Sequence, residues 1–275
     1  MKSINCKGKL IDLSSPKVMG ILNVTPNSFY DGGKHKELNS IIQQVEKMLT
    51  EGACFIDIGA YSSKPSAEFV SEEEEIKRLI PVIKELVATF PTINLSVDTF
   101  RANVAKEAVE NGVAIVNDIS AGVLDEKMLE TVANLKVPYI MMHMKGNPQT
   151  MQSLTTYEEL VKEMIFYFTE RIAAARSFGI SDLILDPGFG FAKTLKQNYH
   201  LLSDLNLLAV LDMPILVGVS RKSMIYKLLD TTPDKALNGT TSLNTVSLMH
   251  GANVLRVHDV KEAMQCIAIT DQLNP

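Results

Sequence analysis

Polar side chains close nearly every apolar run of this 275-residue chain. In order they are Asn23 with Asp31, Asp57, Asp98, Asn117 with Asp118, His143, Asp186, the triplet Ser220-Arg221-Lys222, and Arg256 with His258. Any one of them suits a turn or a helix cap, because Asp and Asn side chains hydrogen-bond nearby backbone. All of them together, one set per run, point to a shared mouth. Two chemistries are present. Asp98, Asn117, Asp186 and Lys222 offer acceptors, an amide and one cation to a flat, hydrogen-bonding heterocycle. A carboxylate accepts two parallel N–H bonds, and an ammonium meets a carbonyl or a ring nitrogen. Asn23, Arg256 and His258 offer donors and charge to an anion, phosphate-like by the pairing of Arg with His. The other reading of Arg256-Val257-His258-Asp259 is a salt-bridged strand end, and the residues alone leave both open.

Other motifs carry no chemistry of their own. Gly188-Phe189-Gly190-Phe191-Ala192-Lys193-Thr194 is glycine-rich but matches neither nucleotide fingerprint. Gly218-Val219-Ser220-Arg221-Lys222 lacks the second glycine of a nucleophile elbow. Ser71-Glu72-Glu73-Glu74-Glu75 reads as a helix start, with Ser71 as N-cap, Glu74 in a capping box and acids at the positive end of the dipole. His35, His200 and His250 read as structural residues without partners. Most of the 13 Met read as core filler. Cys6, Cys54 and Cys266 have neither disulfide-framework nor zinc spacing.

The elements that must position these side chains alternate along the chain. Apolar runs at 18–24, 54–58, 94–97, 114–117, 138–143, 183–185, 215–219 and 254–257 read as buried strands. Helical patterns separate them: around Ile41–Leu49 and stopped by Gly52, then at 72–88, 102–110, 125–135, 157–178, 195–208, 223–229, 238–250 and 260–272. Strands this apolar belong to a parallel sheet covered on its outside. Eight alternations predict a closed (β/α)8 TIM barrel, with a doubly wound open sheet as the alternative. No linker or repeat divides the chain, so residues 1–275 read as one domain, with a short hairpin at 1–15. In a barrel of this kind the chemistry sits where the strands end.

Composition fits that expectation. Forty-six per cent of the residues are hydrophobic and 21% charged, which excludes disorder, collagen and coiled coil. A net charge of −5 argues against a broad grip on nucleic acid or an anionic membrane, though not against a local basic pocket. There is no signal core after Met1-Lys2 and no membrane-length apolar run, so the expected location is the cytoplasm.

Several strings resemble, in family order, the signatures of dihydropteroate synthases. They are Gly20-Ile21-Leu22-Asn23-Val24-Thr25-Pro26-Asn27-Ser28-Phe29-Tyr30-Asp31-Gly32-Gly33, Asp57-Ile58-Gly59, Ser96-Val97-Asp98-Thr99, Asn117-Asp118-Ile119-Ser120, Met142-His143-Met144-Lys145-Gly146, Asp186-Pro187-Gly188-Phe189-Gly190-Phe191, Ser220-Arg221-Lys222-Ser223 and Arg256-Val257-His258-Asp259. Each is weak alone; their order and number are specific. The resemblance implies a pterin-binding barrel transferase of folate biosynthesis, and a sulfonamide target. Such an enzyme joins (7,8-dihydropterin-6-yl)methyl diphosphate to 4-aminobenzoate, giving 7,8-dihydropteroate and diphosphate, with Mg²⁺ as cofactor. Carried over by position, it implies a pterin pocket of Asp98, Asn117, Asp186 and Lys222. It likewise implies a diphosphate site of Asn23, Arg256 and His258, with Asn23 near Mg²⁺. The aminobenzoate side becomes Phe29, Ser63, Pro65, Phe191 and Ser223, and the catalytic set Asp31, Lys222, Arg256 and His258. The family is usually homodimeric.

The chain departs from the family's commonest pattern on one side only. Asn27 and Tyr30 stand where Asp and Ser are usual, and the second loop reads Ala60-Tyr61-Ser62-Ser63-Lys64-Pro65-Ser66-Ala67 against G-E-S-T-R-P-G-A. Ala192 replaces a glycine. All these fall on the loop or aminobenzoate side. A methyltransferase using methyltetrahydrofolate is an alternative, but it has no use for Arg256, His258 or the aminobenzoate loops. A non-catalytic pterin-binding paralogue is another, and it would lack Asp31, Lys222 or Arg256.

Overall fold

The computed structural model describes residues 2–24, 34–61 and 69–273. Two short strands, β1 (Ser3–Cys6) and β2 (Lys9–Asp12), pair antiparallel as a hairpin. The apolar runs then become β3 (Lys17–Asn23), β4 (Phe55–Gly59), β5 (Leu95–Asp98), β6 (Ile115–Asp118), β7 (Tyr139–Met142), β8 (Leu183–Asp186), β9 (Leu216–Val217) and β10 (Val254–Val257). These pair in parallel in the order β8-β7-β6-β5-β4-β3-β10-β9. Leu185 bridges Ile215, and its N–H meets the Pro214 carbonyl at 2.9 Å, so the two ends of the sheet join and the barrel closes.

Helices return the chain outside the barrel: α1 (Lys34–Thr50), α2 (Glu72–Thr89), α3 (Ala102–Glu110), α4 (Met128–Leu135), α5 (Leu160–Ser177), α6 (Leu195–Ser203), α7 (Ser223–Tyr226), α8 (Leu237–Met249) and α9 (Val260–Asp271). Their buried faces share one core with the outward side chains of the strands, among them Val18, Ile56, Ile58, Val97, Val116 and Leu255.

The strand period of two decides what fills the barrel. Met19, Phe55, Ile115, Ile140, Ile184, Leu216 and Val254 point inward and form the bottom layer. Ile4, Cys6, Ile11 and Leu13 of the hairpin pack beneath that layer and close the lower end. The hairpin is tied down by Asn253, whose amide donates to Leu13 O at 2.8 Å, and by Asp182, which accepts Asn5 N–H at 2.8 Å. Two residues further along each strand, the inward positions become Asp57, Asn117, Asp186 and Arg256. An apolar floor therefore carries a polar layer facing the mouth.

Local chemistry explains where element lengths differ from the sequence expectation. The pattern over 195–208 predicts one helix, but α6 stops at Ser203. Asp204 leaves the helical geometry with ψ 15°, its carboxylate lies 3.0 Å from His200 Nε2, and a 3₁₀ segment follows over Leu205–Leu211. His200 thus has a partner, contrary to expectation. The helix expected over 223–229 has only four helical residues, because Thr231 N–H turns back to Tyr226 O and Asp230 takes a φ of +48°. Ser71 caps α2 by accepting Glu74 N–H at 3.2 Å, yet the Glu74 carboxylate turns to Arg78, so the box is half made. A complete capping box, missed in the sequence, opens α6 between Thr194 and Gln197.

Candidate active site

Arg256 is the centre of the polar layer. Its Nε donates to Asp57 Oδ2 at 2.6 Å and its Nη2 to Asp98 Oδ2 at 2.7 Å. Asp57 Oδ2 also accepts Asn117 Nδ2 at 3.0 Å. One guanidinium therefore joins the ends of β4, β5 and β10, and Asn117 brings in β6. Burial works against the Arg256 charge, but Asp57 and Asp98 outweigh it and hold the group firmly protonated. Two carboxylates on one cation leave net negative charge. Burial, with Asp57 adding to it against the pull of Arg256, pushes Asp98 up to about 7.

Asp186 and Lys222 face this cluster from the other side. Burial raises the Asp186 pKa, while Lys222 and the Gly188 N–H, bonded to Oδ1 at 2.8 Å, oppose the rise. Burial lowers Lys222 to about 8, against the pull of Asp186. The Lys222 ammonium donates to the Phe189 carbonyl and lies 5.0 Å from the centre of the Phe191 ring. The 187–193 loop thus sets the position of Lys222. Gly188 lets that loop pass close to β7: its φ is +69°, and a Cβ there would lie 2.2 Å from His143 O. Ala192 takes a φ of +49° in the same loop, which is the left-handed conformation its glycine counterpart adopts freely.

Lys193 fastens the loop from inside. Its ammonium meets Gly188 O at 3.0 Å, Phe191 O at 3.1 Å and His143 Nδ1 at 3.1 Å, and only 6% of the residue is exposed. Burial lowers Lys193 to about 7, and burial with the nearby lysines lowers His143 to about 2. His143, one of the polar strand-end residues in the sequence, is therefore a buried neutral partner of Lys193 rather than a group at the mouth.

The residues expected to meet an anion, Asn23, Arg256 and His258, lie at the ends of β3 and β10. His258 is exposed, with Nδ1 at 3.0 Å from Ser220 Oγ, and its backbone N–H donates to the same oxygen at 3.2 Å. Arg221 donates through Nε to Asp259 at 3.0 Å and has a φ of +54°, so an ion pair holds the turn that presents Lys222 and Ser223. Ser223 is half-buried at the start of α7. Asn23 ends β3 with its side chain exposed. No group of three or more His, Cys, Asp or Glu among the described residues could hold a metal ion. Asn23 offers one amide oxygen, which suits an ion that arrives with phosphate oxygens of its own.

Of the expected site residues, Asp98, Asn117, Asp186, Lys222 and Arg256 share the polar layer and its rim. Asn23, His258, Ser223 and Phe191 stand around them. Phe29, Asp31, Ser63 and Pro65 lie outside the described residues. Both readings of the Arg256 segment hold in part, since Arg256 is ion-paired and yet leaves Nη1 uncommitted among the described residues. Sequence reasoning gave no role to Asp57, Lys193 or Ser220. For Asp57 the signal was available: it follows Phe55 by two, as Asn117 follows Ile115 and Arg256 follows Val254.

Comparison with known proteins gives the same picture over almost the whole chain. The profile of the pterin binding enzyme family matches residues 19–258. The dihydropteroate synthase of Escherichia coli (strain K12) is 42% identical over 267 residues, covering 96% of this chain and 94% of that one. The Yersinia pestis dihydropteroate synthase, solved with a sulfonamide drug complex, superposes with a TM-score of 0.92 at 41% identity, covering 99% of both chains. The Xanthomonas albilineans enzyme, solved with 4-aminobenzoic acid, gives 0.90 at 38% identity, covering 99% of this chain and 98% of that one. The chain belongs to the pterin-binding enzyme family and, within it, to the dihydropteroate synthases, transferases of folate biosynthesis.

Proposed function

We propose that the mouth condenses (7,8-dihydropterin-6-yl)methyl diphosphate with 4-aminobenzoate as two half-sites around Arg256. Asp98, Asn117, Asp186 and Lys222 hold the pterin; Asn23, Arg256 and His258 hold the diphosphate. Phe29, Ser63, Pro65, Phe191 and Ser223 take the aminobenzoate side. The observation that carries the reading is the layering: acceptors, one amide and two cations converge directly above an apolar floor, with His258 two residues beyond Arg256.

The reaction then follows from charge. The bond between the methylene carbon and the diphosphate oxygen breaks, its electron pair leaving with diphosphate. Ring nitrogens conjugated to that carbon support the positive charge left behind. Arg256 supplies fixed positive charge, and His258 a ring nitrogen able to donate, where the negative charge collects. The arylamine nitrogen is already a neutral nucleophile; it forms the new C–N bond and then loses a proton. Asp31 serves either by stabilising the cation or by taking that proton.

Mg²⁺ fits beside Asn23, since this ion takes few protein ligands and keeps water and phosphate oxygens; when bound it adds charge to the leaving diphosphate. The working unit is read as a homodimer, supported by exposed Leu228, Leu229, Met249 and Ile269 on the late helices and turns. Light scattering giving twice the chain mass supports it, and a monomer at assay concentration contradicts it. A cytoplasmic enzyme is consistent with three unpaired cysteines and with no helix long and apolar enough to cross a membrane among the described residues.

The test of the two halves is Arg256→Ala. The variant should lose affinity for the pterin diphosphate substrate far more than for dihydropteroate, by about 2–5 kcal/mol if the anion contact is desolvated. Equal losses for both ligands contradict the anion role.

A further inference from the structure

We infer that Asp57 is a positioning residue of the site, one buried carboxylate oxygen that sets both the direction of Arg256 and the amide orientation of Asn117. This rests on the pterin pocket proposed above and deepens it. Asp57 is fully buried on β4, and its Oδ2 accepts from Arg256 Nε at 2.6 Å and from Asn117 Nδ2 at 3.0 Å. Among the described residues its Oδ1 has no hydrogen-bond partner, and neither has Ser96 Oγ on the residue opposite in register. The carboxylate is thus engaged through a single oxygen, and both residues bonded to it belong to the proposed pocket.

The consequence for recognition is specific. An ionised carboxylate only accepts, so the Asn117 side chain must turn its NH₂ toward Asp57. That leaves Asn117 Oδ1 for the pocket, as an acceptor. The ligand edge opposite Asn117 must therefore carry an N–H, and a heterocycle presenting a lone pair there is disfavoured. The same oxygen holds Nε of Arg256, so the guanidinium plane is fixed by Asp57 at Nε and by Asp98 at Nη2. Asp57 couples the two half-sites without needing to touch either ligand.

The experiment measures binding of 6-hydroxymethyl-7,8-dihydropterin, the diphosphate-free alcohol of the substrate, to the full chain by calorimetry across pH. Asp57→Asn should weaken binding tenfold or more, because Asn117 is then free to turn. It should also move the acid limb of the binding profile to lower pH. Asp98 faces Arg256 from β10, Asp57 from β4, Glu75 from α2 and Asp118 from β6, and one of its three carboxylate neighbours has lost its charge. Asn117→Asp sets a second carboxylate against Asp57 and should also weaken binding. The exchanged pair Asp57→Asn with Asn117→Asp keeps the charge of the pair: after a turn of the new amide its oxygen accepts from Arg256 and its NH₂ donates to the new carboxylate, whose other oxygen stays an acceptor for the pocket. Binding by the exchanged pair should return to within about threefold of wild type, which a merely structural role does not predict. Asp57→Asn binding within twofold of wild type with an unmoved limb overturns the inference, as does an exchanged pair that fails to fold or to recover. Absence of binding by the wild-type chain overturns the pocket itself, and the inference with it.

Discussion

Arg256 shows how much a single side chain at the mouth has to satisfy. It neutralises Asp57 and Asp98 inside the barrel, and it is asked to meet diphosphate outside it. The flanking groups fix a working window. Asp98, pushed up to about 7 by burial, becomes a carboxylate above that pH, and Lys222, lowered to about 8, stays an ammonium below its own. Pterin binding should therefore follow a bell with limbs near those two values, and calorimetry of the pterin alcohol from about pH 5.5 to about pH 9.5 checks it. A flat profile contradicts the roles given to both residues. Stability runs differently. With a folded pKa above its ordinary 3.8, Asp98 holds a proton that the unfolded chain has released, so its contribution to stability falls as pH rises through that window to about 7. Most of these residues were legible because polar side chains interrupt apolar runs at Asp98, Asn117, Asp186 and Arg256. Asp57 was present in the same pattern without a role, because bonds to strands two positions away on either side of the barrel leave no mark in local spacing. Lys193 and Ser220 were hidden for a like reason, His143 and His258 standing just past the ends of β7 and β10.

Among the elements, the loops after β8 and β9 do most to place the reacting groups. The 187–193 loop is gathered by Lys193 from inside and pressed against β7 at Gly188. Gly188→Ala forces a side chain into the left-handed conformation, at about 1–3 kcal/mol, and drives its Cβ into His143 O. The variant should melt several degrees lower and lose activity through displacement of Phe189 O and Lys222, as thermal unfolding and a kinetic assay would register. Unchanged melting and activity contradict the account of the loop. Element boundaries were legible where apolar periodicity was uninterrupted, as in α3 and β10, which fall where expected. They were not legible where a side chain competed with the backbone: Asp204 with His200 ends α6 early, and the return at Asp230 shortens α7. β9 is only two residues long although the apolar run is five: Ile215 bridges β8 at one end, and at the other the chain turns where Lys222 N–H meets Val219 O at 3.1 Å.

At the scale of the whole molecule, the barrel separates stability from chemistry along its axis. The lower end is sealed by the hairpin, with Leu13 fully buried against the bottom layer. Leu13→Ala should cost about 2–5 kcal/mol in denaturant unfolding while leaving KM for both substrates unchanged in the folded fraction. A large change in KM with little loss of stability contradicts this division. The closed parallel barrel itself was legible in the alternation of apolar runs and helical patterns, whereas the way the hairpin plugs its floor was not, since no periodicity links Leu13 to Asn253. The upper end should break one bond to diphosphate for each arylamine joined. The most direct measurement follows dihydropteroate and released diphosphate together, starting from the pterin diphosphate and 4-aminobenzoate, with and without Mg²⁺. Both products should appear in equal amounts and only with Mg²⁺ present; pterin diphosphate that binds without turning over, or diphosphate released without dihydropteroate, contradicts that coupling.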